Sequence, residues 1–197
     1  MSNQNVAIRP AYTPLTQQRL CCVPCAVQWI LLRRKLPIFT QEELGIALNL
    51  TVPKKFRDLF GDGIKSEKRK PRLGWGTQGS DNEAGYNNFF REHKVPLQAT
   101  YVPHSKLKNP ATFIAANLKK GNDIMVITHM SALDRKKKWG HALVVTAIEL
   151  GKKPVLIVGD PDWRAPKFYR VELSTILRGM TEKVGKAERG LYVFTKN

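Results

Sequence analysis

The stretch from Gly140 to Pro161, GHALVVTAIELGKKPVLIVGDP, decides how this chain is read. Residues 142–148 and 155–158 are short, apolar and rich in β-branched side chains, and residues 149–154 between them carry Gly151, two lysines and Pro154. That pattern predicts two antiparallel strands joined by a turn. Runs of the same type occur at 97–102, 124–128, 168–173 and 191–194, so the second half predicts a series of strands. The first half has another period. Val23, Ala26, Val27, Ile30 and Leu31 recur at helical spacing and are followed by basic residues and Pro37, which predicts a helix over 23–35. Thr40 and Glu43 have the spacing of a capping box, opening a second helix over 41–48. Ser80 and Glu83 repeat it for a third running to His93, and Asn109-Pro110 with Gly121 frames a fourth. Residues 53–79, rich in Gly, Lys and Arg, read as a surface excursion with no more than a turn of helix at 56–60. The first twenty residues read as an extended lead-in. The expectation is one α+β domain over residues 1–197, an N-terminal helical layer packed on a C-terminal, mostly antiparallel sheet.

A chain of 197 residues with 42% hydrophobic content holds enough apolar material for one sizeable core. Its apolar runs are far shorter than the roughly 20 residues that cross a bilayer, so no membrane span is expected. Residues 1–9 are polar and lack the pattern of a secretory signal, which predicts a cytoplasmic protein or one exported without a classical signal peptide. The formal net charge of +17 attracts polyanions such as nucleic acid or acidic cell-wall polymers. The charge falls in short runs, at 33–35, 65–72, 135–138 and 152–153, that read as solvated loops and helix ends. No nucleic-acid motif accompanies it, so nucleic acid is not the expected partner.

All three cysteines, Cys21, Cys22 and Cys25, lie within five positions, which is no disulfide framework. Cys22 stands at the start of the predicted first helix, where unpaired N–H groups and the helix dipole favour a thiolate. Its own N–H can serve an oxyanion, with Gln17 or Gln18 as a second donor. A nucleophilic thiol needs a base. Of the four histidines, His93 closes a helix, His104 lies in a loop and His129 ends a strand, whereas His141 begins the most apolar strand, which holds an imidazole rigidly. Asp160 ends the next strand and is placed to orient that ring. Cys22-Val23-Pro24-Cys25 also has the form of a redox C-x-x-C, but residues 13–20 lack the buried strand that precedes such a motif. One such pair supplies only two metal ligands, and no metal or cofactor is expected. Trp75, Trp139 and Trp163 lie beside basic residues, as a stacking surface for a polyanion would. Trp139 and Trp163 also flank the proposed site in sequence, as walls that shield the His-Asp pair.

Residues 17–25, Gly140-His141-Ala142-Leu143-Val144-Val145 and Gly159-Asp160-Pro161 together resemble the papain-like cysteine peptidases related to the bacteriocin-leader processing (double-glycine) domains. The resemblance implies Cys22 as nucleophile, His141 as base, Asp160 as orienting residue and an upstream glutamine as oxyanion donor. It also implies hydrolysis of a peptide or amide bond in a peptide or protein substrate, without cofactor. The charge is compatible with an acidic polymer or cell-wall substrate. The chain departs from the family pattern at Thr16, where the oxyanion glutamine usually stands, at Val23 in place of glycine, and in the basic residues 61–79.

Overall fold

The structure, a computed structural model, describes residues 4–72, 74–77, 82–182 and 188–197. Its centre is an antiparallel sheet in the order β4 (Leu97–Pro103), β9 (Gly190–Lys196), β5 (Asp123–His129), β6 (Gly140–Leu150), β7 (Val155–Gly159) and β8 (Phe168–Glu172). The hairpin read from residues 140–161 is present, with Val145 opposite Val158 and Glu149 opposite Val155. Strand β6 is buried almost throughout from His141 to Ile148, so both of its faces are covered, as its unbroken apolar run requires. The mixed α+β class and the antiparallel sheet agree with the sequence reading.

Four helices fall close to the expected positions: α1 (Cys22–Arg33), α2 (Gln41–Ala47), α3 (Glu83–Glu92) and α4 (Pro110–Lys119). The Thr40–Glu43 capping box is formed in both directions. The box read at Ser80 lies outside the described residues.

Three expectations are corrected. Residues Gln4–Ala7 form a strand, β1, paired antiparallel with the second half of β6, where the lead-in was expected to be merely extended. The run over 168–173 stops at Glu172, and Leu173–Thr181 is a further helix, α5, burying Leu173, Ile176 and Met180. Residues 53–79 do not simply run over the surface. Two short parallel strands, β2 (Thr51–Pro53) and β3 (Lys65–Glu67), and a 3-10 helix over Lys54–Leu59 accompany a small core of Cys21, Leu50, Val52, Phe60 and Ile64.

The main core joins α1 to the sheet through Trp29, Ile30 and Leu31, all fully buried. Close approach of helix to strand requires a residue without a side chain at Gly159, because a Cβ there would stand 2.3 Å from Cζ3 of Trp29. Trp29 is 0% exposed and cannot swing aside. Gly159→Ala is therefore expected to destabilise the fold by about 1–3 kcal/mol, read as a lowered denaturation midpoint. A midpoint equal to wild type would mean that the helix is not packed this tightly on β7.

Candidate active site

The lead-in becomes a helix through a tight turn. The Cys21 N–H donates to the Gln18 carbonyl at 3.0 Å, and Leu20 within that turn has φ of 67°, the left-handed region that glycine prefers. Cys22 then opens α1, where its N–H has no carbonyl of the preceding turn to bind. His141 sits at the start of β6 and Asp160 just past the end of β7, on neighbouring strands.

His141 Nε2 and Asp160 Oδ1 are 2.7 Å apart, with both side chains almost wholly buried. That leaves Nδ1 for the thiol of Cys22, which is hydrogen-bonded to the imidazole. Burial alone pushes the Cys22 thiol up. The hydrogen bond and charge of His141, with the N–H groups of Ala142 and Val23, pull it down further, so its pKa lies below the ordinary thiol value. Burial likewise works against a charged His141, yet its bonds to Asp160 and Cys22 raise it above an ordinary imidazole. Both directions describe one thiolate–imidazolium pair.

Asp160 is held on both oxygens. Oδ1 also accepts from the Asp162 N–H at 2.8 Å, and Oδ2 accepts from the Tyr169 hydroxyl at 3.1 Å. Burial and the charge of Asp160 push the Tyr169 phenol upward, which keeps it a donor. Tyr169 escaped the sequence reading, since its role depends on β8 lying beside β7. The alternation of Tyr169 and Val171 with Arg170 and Glu172 is a sequence signal that could have pointed to a half-buried Tyr169.

Cys22, His141 and Gln17 line one cleft of about 610 Å³. Gln17 is fixed by its N–H donating to the Pro161 carbonyl at 2.9 Å, which ties it to the residue after Asp160. No described group hydrogen-bonds its side-chain amide, and its Oε1 is buried without a partner. Gln18 is exposed, its N–H is bound to Gln41 Oε1, and it does not line the cleft. Of the two candidate oxyanion donors, only Gln17 lines the cleft with Cys22.

Trp75, Trp139 and Trp163 all line the cleft. Arg164 lies between Trp139 and Trp163, 5.6 Å from each ring centroid, and is paired with Asp162 at 2.8 Å. Trp163 is 67% exposed, so it walls the mouth rather than sealing a His-Asp pair that the sheet already buries. His129 also lines the cleft, but its Nδ1 is engaged with Ser131 Oγ at 2.6 Å. His93 packs on Phe39 and Phe89, away from the cleft.

The other two cysteines differ from Cys22. Cys21 is buried in the small core with its thiol pushed up by burial, and Cys25 is buried with its thiol pushed up to about 12 by the same cause. No cluster of three or more His, Cys, Asp or Glu side chains suited to a metal occurs among the described residues. Among them, too, no helix is long and apolar enough to cross a membrane.

No protein-family model matches the chain, and no curated protein matches it.

Proposed function

We propose that the chain is a cysteine peptidase or amidase of papain-like architecture. The observation that carries this reading is the hydrogen-bonded line from Cys22 through His141 to Asp160, on the wall of a cleft and at a helix N-terminus.

The imidazole takes the thiol proton, and the thiolate attacks the carbonyl carbon of a bound amide. Charge moving onto the carbonyl oxygen is met by the Cys22 N–H and the Gln17 amide. The imidazolium gives its proton to the departing amine, which leaves a thioester on Cys22. His141 then takes a proton from water as its oxygen attacks the thioester carbon, the C–S bond breaks, and the acid product departs, leaving the Cys22 thiolate paired with the His141 imidazolium for the next turnover. Asp160 holds the ring so that Nδ1 faces sulfur throughout. A thiol–disulfide role for Cys22 and Cys25 has less support, because Cys25 is a buried, unreactive thiol and α1 is preceded by a turn rather than a buried strand.

The test is alkylation of the pure protein by iodoacetamide across pH, with the modified cysteine mapped by mass spectrometry. Cys22 is expected to react well below the free-thiol pKa of roughly 8.5, while Cys21 and Cys25 stay unmodified at neutral pH. His141→Ala removes the largest influences that lower the thiol and leaves burial opposed only by the Ala142 and Val23 N–H groups, so the reactivity of its Cys22 should move to clearly higher pH. A Cys22 that is inert, or a profile that His141→Ala does not move, rules out the peptidase reading.

A further inference from the structure

The cleft holds a cation that the mechanism does not use. Arg189 lies just before β9 and is 4% exposed, and its Nη1 is fully buried without a hydrogen-bond partner. It makes no ion pair among the described residues. Glu182 acts on it only at a distance, and burial lowers its pKa from the ordinary guanidinium value. Its main chain is fixed, since its carbonyl accepts the His104 N–H at 2.9 Å. Its guanidinium passes within 3.8 Å of where a Cβ on Gly140 would stand, one residue before His141.

A buried guanidinium without a counter-ion is strongly unfavourable, and no described group pairs with it to offset that cost, the influences of Glu182 and Tyr101 being weaker than burial. An anion delivered by a ligand would. The rest of the described lining has the same sign: Arg19, Lys70, Arg72, Lys138 and Arg164 join Arg189, against one acid among the described residues, Asp162, which Arg164 already neutralises. The depth of Arg189 narrows the choice of anion. Arg189 is 4% exposed, which favours a carboxylate at the end of a slender side chain over a phosphate held in a bulky nucleic-acid backbone.

We propose that Arg189 is a specificity residue that binds a substrate carboxylate, so that the cleft selects acidic peptides with Glu or Asp beside the scissile bond. This rests on the peptidase reading and adds the substrate class to it.

The test compares two acetyl-dipeptide chloromethyl ketones ending in Glu or in its isostere Gln. Each rate of Cys22 alkylation is divided by the same variant's iodoacetamide rate, which reports the state of the thiolate. A charge-assisted bidentate contact predicts that wild type reacts about tenfold or more faster with the Glu reagent. Arg189→Gln should bring the ratio near one, and Arg189→Lys should leave it between. The wild-type preference should also persist in roughly 1 M salt, where the Debye length is about 3 Å, and this keeps the proposal open to refutation if Arg189→Gln does not fold. A ratio near one in wild type, or a preference that survives Arg189→Gln, overturns the proposal alone. So does a preference that salt abolishes, or protection of Cys22 by a single-stranded oligonucleotide as strong as that by an acidic peptide, because either means a diffuse polyanion surface. Failure of iodoacetamide itself to label Cys22 removes the peptidase reading and this proposal with it.

Discussion

Asp160→Ala is expected to lower the hydrolytic rate by on the order of 10³- to 10⁴-fold, as loss of the orienting acid does in such triads, with Cys22 still in place. The carboxylate is 0% exposed and serves three donors: His141 Nε2, the Asp162 N–H and the Tyr169 hydroxyl. Without it the ring can rotate, and the largest influence raising the His141 pKa disappears while burial, which lowers it, remains. The imidazolium is then disfavoured, so the pH at which Cys22 becomes alkylatable should move upward, toward that of a free thiol. The hydrolysis profile of wild type should rise as Cys22 ionises and fall as His141 loses its proton, and the variant should lose the width between these limbs. The stranded Tyr169 and Asp162 donors add a stability loss of about 1–3 kcal/mol. Asp160→Asn keeps an oxygen acceptor without the charge, so it should retain more of the stability while losing rate on the same order, about 10⁴-fold. Circular dichroism separates catalytic loss from unfolding. A folded Asp160→Ala protein with wild-type rate and labelling profile would mean that the His141–Asp160 contact has no part in catalysis.

Much of this site was legible because its pieces are local. Helical periodicity places Cys22 at a helix start, and one strand–turn–strand places His141 and Asp160 on neighbouring strands, whatever the rest of the chain does. What stayed hidden depends on pairing between distant segments. Residues 4–7 carry too little pattern to declare themselves a strand, and they become one only because β6 extends beyond β5 and leaves backbone groups to be paired. Gln17 and Gln18 are indistinguishable as sequence, and a hydrogen bond to Pro161, far along the chain, separates them. The helix over Leu173–Thr181 did have a signal. Leu173, Ile176 and Met180 fall at helical spacing, but the strand read over 168–173 claimed Leu173 and left 174–181 without an element. Arg189 had none, since nothing in its neighbours marks it as buried.

The basic run at 33–35 is a helix end with an exposed Lys35, as read, but Arg33 and Arg34 are not solvated, and correcting that leads to the largest expected stability effect. Asp123 is fully buried at the start of β5 and receives the Tyr12 hydroxyl at 2.6 Å, Nη2 of Arg33 at 2.7 Å and Nε of Arg34. Arg33 further donates to the Arg9 carbonyl at 3.0 Å, and Arg34 to those of Gly121 and Phe194, at 3.1 and 3.0 Å. One carboxylate thus fastens the C-terminal end of α1 to the sheet and to the lead-in. From Cys22 to Arg33 the helix rises by about 17 Å at about 1.5 Å per residue, and from Asp123 to Thr128 strand β5 advances by about the same at roughly 3.3 Å per residue. Thr128 is the partner of His141 across the sheet. Anchoring Arg33 at Asp123 therefore sets Cys22 level with His141. Asp123→Ala leaves the buried Arg33 and the partly buried Arg34 side by side without a counter-ion, a change that costs about 3–5 kcal/mol in a fold whose whole stability is on the order of 5–15 kcal/mol. Urea denaturation should show that loss, and the fraction still folded should show slower alkylation of Cys22 at low pH because the helix has lost its register. The exposed pair of Arg170 with Glu149 is the control, and Arg170→Ala should cost about 1 kcal/mol or less. Equal effects at the two sites would mean that Asp123 is no anchor. A large stability loss with undiminished Cys22 reactivity would place the register of α1 in the Trp29–Gly159 contact instead.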